Sequence, residues 1–272
     1  MQYFHKYGFI IQKQLKLEHM SGKIKWTILA GLIAVIPALN SCNKDNYDYS
    51  MTIPNATVTV KPLDGNKSFY LQLDENTTLE PCNMSTSPFG DKEVRAFINF
   101  TDMNQKGNGY TKKVTVNWMK EILTKNMVKD LGNENDNKYG NDPIDFLDSW
   151  VTIVEDGYIT LQFITPASAT GIAHEVNLIY AGTEKDPYVV EFRHNAHGDY
   201  SSNMASGFAA FRLDGQDNGL RLPDTNGKTV DLTFKFRSLT GPRSVKFKYC
   251  TRKTTETGKP ETGNVSQLIS LR

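Results

Sequence analysis

Apolar and polar residues alternate with a period of two along most of the chain, and no other feature constrains the fold as strongly. The cleanest stretch sets Val230, Leu232, Phe234 and Phe236 against Asp231, Thr233, Lys235 and Arg237. Successive side chains of a strand point to opposite faces, so this pattern predicts half-buried antiparallel strands rather than helices.

In the first segment Ala56, Val58 and Val60 alternate with Thr57, Thr59 and Lys61. Pro62-Leu63-Asp64-Gly65-Asn66 then offers turn chemistry before Phe69, Leu71 and Leu73 resume, which predicts a hairpin. Val94, Ala96, Ile98 and Phe100 continue the pattern, and Val114, Val116 and Trp118 follow. Several short strands in so short a stretch suit a small antiparallel barrel. Met119 to Val128 is the one stretch expected to form a short helix. Residues 130–141 are polar, rich in Asn and Gly and poor in core formers, and are expected to link two domains.

Beyond them Ile159, Leu161 and Phe163, then Val176, Leu178 and Tyr180, then Val190 and Phe192, and finally Val245, Phe247 and Tyr249 repeat the alternation between Gly, Asn and Pro turns. That regular spacing is the pattern of a two-sheet sandwich. From Thr254 the periodicity fades, and 254–272 is expected to be a loose tail.

The N-terminus reads as an address. Trp26 to Leu39 is a 14-residue run without charge behind Lys23 and Lys25. It is shorter than the ~20 residues a spanning helix needs and suits a signal-peptide core. Leu39-Asn40-Ser41 ahead of Cys42 has the form of a bacterial lipobox, which makes Cys42 the expected lipid anchor and the mature N-terminus. Residues 1–41 are then a signal peptide, with Met20 as an alternative start, and 42–53 a lipidated tether. Removing 1–41 takes five lysines and one glutamate from the 31 basic and 30 acidic residues, leaving 231 residues with a net charge of −3. A mildly acidic body lacks the basic footprint of nucleic-acid binding, and it leaves the acyl chains as the membrane attachment.

Taken together, the lipobox, the short acidic tether, Val58 to Pro81, Asp142-Pro143-Ile144 leading to Trp150, Asp156 to Phe163, and Phe192-Arg193-His194-Asn195-Ala196-His197-Gly198-Asp199 resemble the NigD-like lipoproteins of Bacteroides and Prevotella. The resemblance spans nearly the whole mature chain. It implies an all-β protein in which an OB-like barrel, 54–129, precedes a β-sandwich, 142–253. It implies no catalytic residues. The extension ahead of Met20 departs from the family pattern.

Among candidate sites, His194, His197 and Asp199 combine two imidazoles with a carboxylate, the usual zinc donors. Their spacing lacks the helical His-x-x-x-His form, and His194 shares the strand face of Val190 and Phe192, so a buried, hydrogen-bonded His194 is the plainer expectation. His174 belongs to another strand. No Gly-x-Ser-x-Gly elbow is present, and the carboxylate pairs Asp142/Asp145 and Glu155/Asp156 have no separation that sequence can fix. Cys82 and Cys250 fall in different domains, as a disulfide clamp or as separate thiols. Tyr47, Tyr49, Tyr70, Tyr110 and Tyr200 sit at polar or loop positions and could form a sugar-stacking platform, whereas Trp118 and Trp150 suit core packing equally well.

These features lead to the expectation of a non-enzymatic binding or structural module, held by lipid at the outer membrane on its periplasmic or surface face. It needs no cofactor, and its partner is an envelope protein or a glycan. The alternatives are a surface glycan-binding accessory protein and a metal-dependent or glycan-cleaving enzyme centred on His194 and His197.

Overall fold

The computed structural model describes residues 53–147, 149, 151–168, 171–215, 220–257 and 271–272. The expected signal peptide and residues 42–52 of the expected tether, together with Cys42, Tyr47, Tyr49 and Trp150, lie outside the described residues.

The first five strands are β1 (Ala56–Leu63), β2 (Ser68–Asp74), β3 (Thr77–Pro81), β4 (Val94–Gln105) and β5 (Lys112–Glu121). They close into a barrel in the order β1-β2-β3-β5-β4, which removes free sheet edges. The expected hairpin pairs Leu63 with Ser68, and its turn places Asp64, Gly65 and Asn66 at φ of 51°, 67° and 65°. Asn, Asp and Gly tolerate that left-handed region best. The apolar phase fills the interior with Val58, Val60, Leu71, Leu79, Ala96, Ile98 and Val114, all fully buried.

The remaining strands are β6 (Leu123–Asn126), β7 (Val128–Lys129), β8 (Asp145–Phe146), β9 (Ile153–Glu155), β10 (Tyr158–Pro166), β11 (Glu175–Tyr180), β12 (Val189–Asn195), β13 (Met204–Arg212), β14 (Val230–Ser238), β15 (Gly241–Tyr249) and β16 (Glu256–Thr257). One sheet runs β16-β9-β10-β13-β6 with β8 added on β10, and the other runs β15-β14-β12-β11-β7. Between them lie Leu161, Phe163, Leu178, Val190, Phe192, Phe211 and Phe234, each large side chain contributing roughly 1.5–3 kcal/mol on burial. Phe146 sets its ring edge-on to Phe192, Phe234 and Phe236 at 5.6, 5.0 and 4.7 Å, the geometry favoured by aromatic quadrupoles.

Three segments depart from the sequence reading. Met119 to Val128 forms no helix: its residues finish β5, pair β6 with β13 and pair Val128 with Ile179. Ladder hydrogen bonds and the burial of Ile122 and Met127 override local helix propensity. Residues 123–129 therefore pair with sandwich strands, and within 130–141 a 3-10 turn (Gly132–Glu134) leads into a short helix α1, Asn135–Tyr139. At the chain end Glu256 pairs with Val154, and Leu271 bridges in parallel to His174.

The polar phase of β10 is also buried, because the barrel packs on the outer face of its sheet. Thr160 is fully buried, and Phe97 of β4 meets Phe208 of β13 edge to face at 5.2 Å.

Candidate functional site

The one cluster of chemistry-bearing side chains singled out in the sequence is divided by the fold. His194 projects from β12 into the core, with its ring 6.0 Å from that of Phe163. After Asn195 the chain makes a tight turn through His197 (φ 50°) and Gly198 (φ 82°), held by the amide of Asp199 donating to Ala196 O at 3.0 Å. Asp142 clamps this turn. Its carboxylate accepts from the Ala196 amide at 2.7 Å and from the Tyr200 hydroxyl at 2.8 Å.

The turn sends Asp199 inward and His197 outward. Nε2 of His197 accepts from Arg272 at 2.8 Å and lies 3.8 Å from Glu175. His194 instead meets His174, the residue that sequence spacing left in a separate strand. The β11–β12 register pairs Val176 with His194, and His174 Nδ1 stands 2.9 Å from His194 Nε2 with the two rings near parallel. His174 Nε2 lies 3.1 Å from Asp199 Oδ2, while Asp199 Oδ1 accepts from the Ser168 amide at 3.0 Å and from its hydroxyl.

An ionised carboxylate only accepts, so His174 donates from Nε2 and receives at Nδ1 from the N–H of His194 Nε2. The chain Ser168–Asp199–His174–His194 thus runs in line and ends on His194 Nδ1, a buried atom without a hydrogen-bond partner. Burial first, and the neighbouring His174 second, push the His194 imidazole down to about 4. The Ser168 hydrogen bond holds the Asp199 carboxyl below the usual range. A linear array sealed in the core orients both rings and offers no shared centre for a cation. Among the described residues no group of three His, Cys, Asp or Glu side chains is arranged to hold a metal.

A second polar centre, at the barrel–sandwich junction, escaped the sequence reading. Arg95 is fully buried and donates to Thr59 Oγ1 at 2.9 Å, to Thr160 Oγ1 at 3.2 Å and to the Glu155 carboxylate. Burial raises the Glu155 carboxyl, and the Arg95 guanidinium opposes that shift. Around this pair Lys61 binds Asp156 at 2.9 Å, and Glu93 accepts from Arg212 and from the Tyr158 hydroxyl at 2.8 and 2.9 Å. Burial pushes the Tyr158 phenol upward. Glu155 and Asp156, singled out earlier as a carboxylate pair, serve these cations. Arg95 sits where strand alternation reads as solvent-facing, and only the docking of a second domain buries it.

The other candidates are scattered. Tyr70 and Tyr110 stack at 5.2 Å on the barrel, and Tyr200 is exposed on the sandwich. Trp118 is half-buried in β5. Cys82 is exposed and Cys250 buried, both as free thiols. Among the described residues no helix is long and apolar enough to cross a membrane.

Two family descriptions match consecutive parts of the chain: a NigD-like N-terminal OB domain over residues 57–122 and a NigD-like C-terminal beta sandwich domain over residues 126–249. Among solved structures, a Parabacteroides distasonis protein described as toxin-related is similar at 35% identity, covering 72% of this chain and 92% of that one with a TM-score of 0.59. A Bacteroides vulgatus protein of unknown function is similar at 18% identity, covering 78% and 98%, also with a TM-score of 0.59. A NigD-like immunity protein from Bacteroides caccae is similar at 18% identity over 72% and 96%, with a TM-score of 0.49. No curated protein matches the chain. With both domain matches in chain order and the barrel and sandwich built as those descriptions require, the chain belongs to the NigD-like family.

Proposed function

We propose that the mature protein, lipidated on Cys42, is a non-enzymatic binding or structural module of the cell envelope, held at the outer membrane. One observation carries the non-enzymatic part: the residues best equipped for chemistry are spent on each other inside the core. His174 and His194 are 0% and 1% exposed, and their hydrogen bonds lead to a buried carboxylate rather than to a cleft. A general base must reach the proton it removes, and this pair reaches none outside the fold. The family descriptions name two structural domains and no catalytic one.

The anchor rests on the 14-residue apolar run, its lysine flank and the residues ahead of Cys42. Several acyl chains on one cysteine give far firmer attachment than a single chain, at ~0.8 kcal/mol per buried methylene. Cys42→Ser tests it: membrane fractions should lose the protein to the soluble fraction, together with its labelling by radioactive palmitate. A Cys42→Ser protein that still sediments with membranes overturns the anchor.

A further inference from the structure

The outer face of the second sandwich sheet holds an open groove of about 410 Å³ where β12, β14 and β15 run side by side. Strand alternation turns Lys235 and Arg237 of β14 outward, and both are exposed. Glu191 of β12 pairs in register with Lys235, so Arg193, two residues on, follows beside Arg237 on the same face. The edge strand β15 adds Ser244 in register with Lys235 and Pro242 in register with Arg237, while Arg243 pairs with the core-facing Phe236 and projects from the opposite face. Three cations, Arg193, Lys235 and Arg237, therefore meet in one groove of a body whose mature net charge is −3.

Only one of them is neutralised. Arg193, with its side chain 10% exposed, binds Asp136 at 2.5 Å and Glu191 at 2.9 Å, and its Nε has no hydrogen-bond partner. Asp130, the next carboxylate nearby, accepts from the Gly132 amide and the Asn135 side chain. Among the described residues no carboxylate lies within ion-pair distance of Lys235, Arg237 or Arg243. Like charges side by side on paired strands destabilise a sheet unless a counter-charge sits between them. Asn141 and Ser244 add neutral hydrogen-bonding groups at the same groove, and Phe236 and Pro242 add apolar edges.

We propose that this groove binds the carboxylate or phosphate oxyanion of an anionic saccharide. Arg237 supplies a planar guanidinium fork for the oxyanion, and Lys235 supplies a point charge. Asn141 and Ser244 meet hydroxyls. A protein partner would need about 800 Å² of surface with an apolar centre, and the centre of this groove is cationic. The inference deepens the binding-module reading and rests on that part of it alone. Release of Cys42→Ser from membranes tests the anchor independently.

The test is calorimetric titration of the lipidated protein in neutral detergent with oligogalacturonate, inorganic phosphate and a neutral maltooligosaccharide. Oligogalacturonate should bind, and Arg237→Ala and Lys235→Ala should each weaken it about 10-fold or more, the loss expected for a charge-assisted hydrogen bond. Lys106→Ala, an exposed change on the barrel, should leave affinity unaltered. Competition by inorganic phosphate supports the site and assigns it to phosphate esters as well as uronates; its absence confines the site to carboxylates. Absence of oligogalacturonate binding, equal binding of the neutral chain, or binding indifferent to Arg237→Ala and Lys235→Ala overturns the proposal.

Discussion

His174 and His194 stand 2.9 Å apart, nitrogen to nitrogen, across β11 and β12, with Asp199 closing the line behind His174. This contact makes the sandwich sensitive to acid. His194 titrates at about 4 in the fold because burial and His174 both disfavour its cation, against ~6.5 in an unfolded chain. The unfolded state takes up the proton first, so stability is full above pH 6.5 and falls as pH drops toward 4, by up to about 3 kcal/mol. Urea melts at pH 7, 6, 5 and 4 should show a falling midpoint in the native protein and a flatter profile in His194→Gln. An equal slope in both would remove His194 as the cause.

Arg95→Ala strands the Glu155 carboxylate inside the barrel–sandwich junction and leaves Thr59 and Thr160 without their donor. Removing one partner of a buried pair costs about 3–5 kcal/mol. Replacing both, as Arg95→Met with Glu155→Gln, should cost less than the sum of the two single changes. Denaturant unfolding of the four proteins checks this, and strict additivity would mean that the pair is uncoupled.

Gly140 ends α1 at φ 80°, where an added Cβ would lie 2.5 Å from His194 O and from the Asn195 side chain. Backbone on β12 cannot swing aside as a flexible side chain could. With ψ at 172°, Gly140 lies in a region that essentially only glycine adopts, so Gly140→Ala should destabilise by more than the ~1–3 kcal/mol of backbone strain alone, and the loss should appear as a lowered Tm. Gly65→Ala, in a turn open to solvent, carries only the strain and serves as the comparison.

Thiol titration separates the two cysteines left in the fold. In Cys42→Ser, one thiol should react with a chromogenic disulfide in the folded state and two after denaturation, since Cys82 is exposed and Cys250 is buried. No reactive thiol in denaturant would indicate the disulfide clamp instead.

Much of this fold was legible in the alternation because a strand's side-chain period is two, whatever it pairs with. The phases of Val58 and Val60, of Leu161 and Phe163, and of Phe234 and Phe236 each named the buried face correctly. The same phase placed His174 with Val176 and His194 with Phe192, so the inward direction of both histidines could be read from the chain. Their meeting could not, because it depends on which strand lies beside β12 and in what register. The helix expected over Met119 to Val128 fails for a related reason: β6 and β7 pair with β13 and β11, residues far along the chain.

The sequence by itself determined most of the strands, their buried faces and the two-domain order, all local properties of residue type and spacing. Tertiary structure decided what the polar residues do. Docking of the barrel on β10 turned Arg95 from a surface cation into the centre of a buried network. Strand order joined His194 to His174 and parted it from His197. Burial and charge pairing depend on neighbours that lie 20 to 65 residues away in the chain, and only the folded chain sets those distances.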